Sequence, residues 1–352
     1  MEDRAENKFP IISYRSNAIV SVNNILSLID KILPKRSIEG RQIKILNISN
    51  ISFIDKVLGL GLVLIDSSGA ISVIDGSNQL HHLNSKLPFA HYSFESSNFK
   101  VNGTLSLVYS SFNIANTNDN YFGKLEISKE LGVRNIFRKQ SDSLNSCIQE
   151  LNESTILTSG FKENIIKFWT IKPSSEFSSV NGECSLIKEV RLDDREGFGV
   201  YSFMFIDKDI IITNNGESVK FWNIAGEMIH LMKYFYVRSF SVCSNKNLLL
   251  INATLEESTS QYAKSLFIVN MTGKEIIKVI ETDKYINSFF MTEDENHIFI
   301  INDDLSIDIY DTLIFNRLAR YSGHSAKIIA MHYDTNSGIV YSSDKDSIHM
   351  WH

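Results

Sequence analysis

The chain has 352 residues, 43% of them hydrophobic, and carries 35 Lys plus Arg against 41 Asp plus Glu for a net charge of -6. That content is ample for a packed core, and that charge balance supplies no global basic field for nonspecific nucleic-acid binding. Cys147, Cys184 and Cys243 have neither paired nor zinc-site spacing, Met1 to Asn7 is charged where a signal peptide needs an apolar stretch, and the longest apolar run, Val57 to Ile65, is far short of the roughly 20 residues that span a bilayer.

In chain order, Pro10 to Tyr14 and Ala18 to Val22 are short strand candidates. Asn24 to Leu33 places Ile25, Leu26, Ile29, Ile32 and Leu33 at helical spacing, with Pro34 as a stop. The same residues also suit a strand pairing with Gln42 to Ile48, so residues 24–50 read as a helix or an extra hairpin. From Ala70 to Ile74 onward a short alternating phrase recurs: Gly123 to Ile127, Ile165 to Trp169, Ser218 to Trp222, Ser265 to Val269, Ser306 to Tyr310 and Ser347 to Trp351. Each copy sits among further strand candidates, as Val200 to Ile206, Asp209 to Thr213 and Met228 to Tyr234 surround the Trp222 phrase.

All three tryptophans, Trp169, Trp222 and Trp351, end this phrase. The seven copies end at positions 74, 127, 169, 222, 269, 310 and 351, a spacing of 41 to 53 residues. A period of that size means a solenoid or a propeller, and the strand-like alternation excludes helical pairs. Four strands per period is the reading that fits.

These residues resemble the WD-repeat β-propeller family, whose repeat carries a Gly-His early and a Trp-Asp late. The resemblance is clearest in the last copy, where Gly323-His324 precedes strands at Lys327 to Tyr333 and Gly338 to Ser343, then the turn Asp344-Lys345-Asp346 and Trp351. Elsewhere it is eroded. The family's usual Asp lies six residues before its Trp, where this chain has Asp304 before Tyr310, Glu163 before Trp169 and Gly216 before Trp222. The resemblance implies an all-β fold, a seven-bladed β-propeller of four-stranded blades forming one domain over residues 1–352. It also implies that His324 hydrogen-bonds within its blade. Because the chain stops at His352, after the third strand of the last blade, an N-terminal strand from residues 1–23 is expected to complete that blade and close the ring.

No catalytic motif is present: there is no nucleophile elbow, no phosphate-cradling Gly-rich loop and no His-Glu-x-x-His pair. Asp303-Asp304 and Asp344 with Asp346 lie in tight turns, where carboxylates cap backbone N–H groups. His349-Met350-Trp351-His352 alternates sides on a strand, which disfavours joint metal ligation. No catalytic, cofactor-binding or metal residues are assigned, and no cofactor or small-molecule substrate is expected. Three loops exceed what a propeller needs, Asn113 to Asn120, Lys172 to Ser185 and Leu255 to Ala263, and loops on rigid scaffolds carry binding.

The reading that follows is a non-catalytic protein-interaction scaffold, a subunit of a larger complex in the cytoplasm or nucleus of a eukaryote. Tyr234, Phe235, Tyr236 and Arg238 are candidate partner contacts, being of the residue types that dominate interfaces. An alternative is an accessory subunit that positions RNA or DNA through basic clusters at Lys31, Lys35, Arg36, Arg41 and Lys44 and at Arg134, Arg138 and Lys139. A propeller enzyme with a central-channel site needs a carboxylate or histidine cluster that the sequence does not display.

Overall fold

The computed structural model describes residues 38–39, 42–46 and 51–352, except 58, 78, 87–91, 97–102, 112–119, 129–131, 142–144, 161–162, 173–181, 193–198, 207–208, 235 and 255–262. The chain divides into two units, Met1–Ile38 and Glu39–His352, and the second holds the architecture that follows. Among the described residues every regular element is a strand, and no helix is long and apolar enough to cross a membrane.

With β1 (Ile38–Glu39) and β2 (Gln42–Leu46), the strands form seven sheets, each built on four antiparallel strands. Blade 1 is β3 (Ile51–Val57), β4 (Gly61–Asp66), β5 (Ala70–Ile74) and β6 (Leu80–Lys86). Blade 2 is β7 (Tyr92–Ser96), β8 (Thr104–Ser111), β9 (Tyr121–Ser128) and β10 (Gly132–Gln140). Blade 3 is β11 (Asn145–Asn152), β12 (Thr155–Gly160), β13 (Ile165–Lys172) and β14 (Glu183–Arg191). Blade 4 is β15 (Ser202–Ile206), β16 (Ile210–Asn214), β17 (Ser218–Asn223) and β18 (Met228–Lys233). Blade 5 is β19 (Tyr236–Cys243), β20 (Leu248–Thr254), β21 (Ser265–Asn270) and β22 (Glu275–Glu281), and blade 6 is β23 (Ile286–Met291), β24 (His297–Asn302), β25 (Ile307–Asp311) and β26 (Arg317–Tyr321). In the sheet of blade 6, β1 adds a fifth strand beside β26. Blade 7 takes β27 (Ala330–Asp334), β28 (Ile339–Ser343) and β29 (Ile348–Trp351), and its fourth strand is β2.

The ring is therefore closed by an early strand, with Gln42 opposite Trp351, Lys44 opposite Met350 and Leu46 opposite Ile348. That strand lies beyond residues 1–23, the segment expected to supply it; Pro10 to Tyr14 and Ala18 to Val22 are outside the described residues, as is Asn24 to Leu33. Gln42–Leu46 belongs to blade 7 and makes no eighth blade, because its partner is β29. The sequence of β2, Gln-Ile-Lys-Ile-Leu, alternates polar and apolar residues at the period of a strand.

The core lies between blades. Seven clusters of buried apolar side chains each join two neighbours: Val63, Ile65 and Ile71 of blade 1 meet Leu105, Leu107 and Leu125 of blade 2, and so on around the ring. Ile54, Leu62 and Leu64 of blade 1 meet Tyr341 and Ile348 of blade 7, which completes the circle. Each buried Ile or Leu contributes about 1.5–3 kcal/mol, and most of that is realised only when the next blade is present. A single blade is a two-faced sheet and needs both neighbours.

Backbone hydrogen bonds stitch the same interfaces. At three junctions the carbonyl six residues before the Trp position, on the turn between second and third strands, accepts an N–H at the start of the next blade. Val200 N–H donates to Glu163 O at 3.2 Å, Val237 N–H to Gly216 O at 2.6 Å and Ile286 N–H to Ala263 O at 2.8 Å. The chain keeps the position and discards the side chain there, because a backbone acceptor needs no particular residue.

Candidate interaction surface

The repeat positions are structural. Each indole donates to a hydroxyl on the preceding strand: Trp169 Nε1 to Thr158 Oγ1 at 2.9 Å, Trp222 Nε1 to Thr213 Oγ1 at 2.8 Å and Trp351 Nε1 to Ser342 Oγ at 2.7 Å. Sequence reading had no signal for these hydroxyls, since their distance from the Trp varies with turn length. In the last blade His324 completes the set, with Nε2 2.6 Å from Ser342 Oγ and Nδ1 2.9 Å from Asp344 Oδ2. In blade 6 Tyr310 is buried in place of Trp, and Asp304 accepts from Ser306 N–H at 3.1 Å and from Arg320 Nη2 at 2.8 Å.

His324, Asp344 and His349 bring one ligand atom each to within 4.8 Å of one another, all buried, and are the residues a divalent cation would use. Within the protein these atoms are already employed. Asp344 Oδ1 accepts the N–H groups of Asp346 and Ser347, both at 2.9 Å, and Ser347 Oγ lies 2.8 Å from His349 Nε2. Burial alone would raise the Asp344 pKa, but the bond from His324 and the two backbone bonds outweigh it and hold the carboxyl at about 2. Burial lowers both histidines, so they are neutral at physiological pH. The chemistry of this cluster is a neutral, hydrogen-bonded staple across one turn.

A different arrangement occupies the face that carries these turns, at blades 4 and 5. Gly216 adopts φ +93°, and a Cβ there would lie 2.8 Å from the Tyr201 ring, so the absence of a side chain lets the ring lie over the turn. Tyr201 is 39% exposed and Tyr236 is 36% exposed. Gly216 O holds Val237 N–H, which anchors the strand segment carrying Tyr236 and Arg238 to this turn. Arg238 is the extra residue of a bulge between Val237 and Ser239, and such a bulge re-aims a side chain without disturbing the strand around it. Tyr201 and Arg238 occupy equivalent places, each following the stitched first residue of its blade. The exposed Tyr201 ring thus lies over a rigid turn whose carbonyl holds Val237, the residue between exposed Tyr236 and half-buried Arg238.

Of the other sequence candidates, Tyr234 belongs to the core. It packs against Phe267 with ring centroids 5.3 Å apart, and burial pushes its hydroxyl pKa up. Phe235, Lys35, Arg36 and Arg41 lie outside the described residues, as do the interiors of the three long loops, 113–119, 173–181 and 255–262. Two members of the second basic cluster are engaged by the propeller itself: the Arg138 guanidinium lies 4.3 Å from the Tyr121 ring centroid of its own blade, and Lys139 Nζ reaches blade 3, 4.9 Å from the Trp169 ring centroid while donating to Cys184 O at 2.9 Å. Burial raises the Cys184 thiol to about 11, and burial together with Glu295 raises Cys243 to about 12, so neither is a ready thiolate. His81 and His82 turn to separate partners, Asp75 and Ser72.

No protein-family model matches the sequence, and no curated protein matches it. Among solved structures, the WD40 β-propeller domain of Doa1 superposes with a TM-score of 0.60 at 9% sequence identity, over 89% of this chain and 95% of that one. With seven four-stranded blades, Trp-to-hydroxyl bonds in three of them and a closing strand from early in the sequence, the chain has the WD40 β-propeller fold.

Proposed function

We propose that this chain is a non-catalytic protein-interaction platform, a subunit of a larger intracellular assembly, and that the turn face of blades 4 and 5 is where a protein partner sits. The observation that carries this reading is the exposed Tyr201 ring over the Gly216 turn, with exposed Tyr236 and half-buried Arg238 flanking Val237, which that turn holds, on a scaffold that loses little entropy when bound. Tyr and Arg are the residue types enriched at interface hot spots. The carboxylates that a hydrolytic reading would enlist are committed to turns, as Asp304 and Asp344 are.

The test is purification of the tagged full-length protein from its own cells, beside Tyr201→Ala and Arg238→Glu variants, with co-purifying proteins quantified by mass spectrometry. A stoichiometric partner is expected with the parent chain. Each variant should weaken its binding at least tenfold, about 1.4 kcal/mol, with an unchanged melting temperature. A partner retained equally by both variants removes this face from consideration, and a lone monomer refutes the subunit reading.

A further inference from the structure

The flank of the ring carries a second surface, on a different side of the molecule from the Tyr201 to Arg238 cluster and independent of it. In blades 3, 4 and 5 the outer strand bulges where it meets the Trp position: Trp169 pairs Leu186 while Phe168 pairs Lys188, Trp222 pairs Met228 while Phe221 pairs His230, and Val269 pairs Ile276 while Ile268 pairs Lys278. Each bulge presents two adjacent aliphatic side chains outward, Leu186–Ile187, Met228–Ile229 and Ile276–Ile277, all between 41% and 58% exposed. The pairs occupy the same height on three consecutive blades.

Contacts between those blades tie the three steps together. Lys188 Nζ donates to Ile224 O of the next blade at 3.1 Å, and Lys274 Nζ lies 6.0 Å from the Phe221 ring, against which His230 packs at 5.7 Å. The fold does not demand two apolar residues here, because the corresponding pairs in the flanking blades are Val133–Arg134 in blade 2 and Arg317–Leu318 in blade 6. Arg317 moreover pairs with Asp308, 3.6 Å away. Exposed aliphatic pairs repeated at one place on three neighbours, and bounded on each side by a pair that contains an arginine, mark a binding surface.

Charge defines what fits it. The residue following each aliphatic pair is Lys188, His230 or Lys278, and the residue preceding the second and third pairs is Glu227 or Glu275. The apolar row therefore has the cations Lys188 and Lys278 along one border, with His230 between them shifted toward its neutral form by burial and by Lys274, and Glu227 and Glu275 along the other border at blades 4 and 5. We propose that this flank docks an amphipathic helix of a protein partner, lying across blades 3 to 5 with its apolar stripe on the three pairs, acidic residues along the flank that meets Lys188 and Lys278, and basic residues along the other. Helix-in-groove recognition uses such a stripe with flanking charges.

The probe is a synthetic amphipathic helix with a leucine stripe, Glu along one flank and Lys along the other, fluorescently labelled and titrated into the full-length protein. A control peptide keeps the stripe but carries Lys on both flanks. Expected are saturable binding, at least tenfold tighter than the control, and a loss of tenfold or more with Ile229→Glu or with Lys188→Glu plus Lys278→Glu. Tyr201→Ala should leave peptide binding unchanged, which separates this surface from the turn face. Absence of binding, binding indifferent to these substitutions, or a parent protein that sediments as a dimer and becomes monomeric with Ile229→Glu would overturn the proposal, the last by assigning the flank to a second copy of the chain.

Discussion

Lys124 and Glu150 show what a single pair of side chains does between blades. Their charges meet at 2.6 Å across the interface of blades 2 and 3, and both side chains are almost wholly buried. Two charges taken out of water are tolerated only while each compensates the other, and Glu150 Oε2 has no hydrogen-bond partner among the described residues. Lys124→Met is therefore expected to destabilise the protein by about 3–5 kcal/mol, and Lys124→Met with Glu150→Leu to recover most of that loss. Urea denaturation of the parent, both single variants and the double variant measures the coupling. If the double variant is as unstable as the single ones, the pair is not what holds this interface. Nothing in the sequence pointed to this pair, because Lys124 and Glu150 read as ordinary alternating polar positions. The three tryptophans were legible for the opposite reason: a scarce residue in one context carries information that a common one does not.

At the scale of the element, blade 7 carries a connected hydrogen-bond network through His324, Ser342, Asp344 and Trp351, and that network titrates. The folded His324 and His349 have pKa values below the ordinary 6.5, so as pH falls through 6.5 the unfolded chain takes up protons that the folded blade refuses. Stability should decline from pH 7 toward pH 5. Asp344 acts in a separate window: its folded value of about 2 lies below the ordinary 3.8, so its contribution is present above 3.8 and is lost between 3.8 and 2. His349→Asn keeps the bonds among His324, Ser342, Asp344 and Trp351, and is expected to flatten the decline between pH 7 and pH 5 while leaving the acid limb in place. Melting temperatures recorded across that range decide it; an unaltered slope would show that His349 does not titrate with folding. Here the sequence was partly legible. Gly323-His324 and Trp351 announced the blade, but the acid that His324 needs is Asp344, seven residues before Trp351. A count of six misses it because this turn is one residue longer than the family spacing. Tyr201 went unnoticed for a similar reason, since its prominence arises from the bare backbone at Gly216 across the blade and not from any local pattern.

For the whole molecule, the period of the repeats determines the number of blades, while the route of closure depends on which strand reaches β29 first. The five-residue β2 does so, and the short stretch between Leu46 and Ile51 then carries the chain from blade 7 directly into blade 1. The closing interface is thus bridged covalently, in addition to its apolar cluster, the bond from Ser343 Oγ to Ile51 O at 3.1 Å and the pairing of His332 with Asp55 at 3.3 Å. Removing residues 1–46 deletes the bridge and leaves β29 as an open edge, and also removes β1 from beside β26, yet spares the apolar cluster and the Ser343 and His332 contacts. Four cross-strand positions at about 0.5–1 kcal/mol each suggest a loss of some 2–4 kcal/mol. Because every blade is stabilised by two neighbours, the loss should appear as a lower midpoint of one cooperative transition and not as a separate early step. Hydrogen exchange locates it: protection should fall first in β29 and β28 and in β3 across the seam, with blades 3 to 5 following only near global unfolding. A truncated chain that melts at the parent temperature, or that loses protection evenly around the ring, would mean that the apolar cluster of blades 7 and 1 closes the propeller without help from β2.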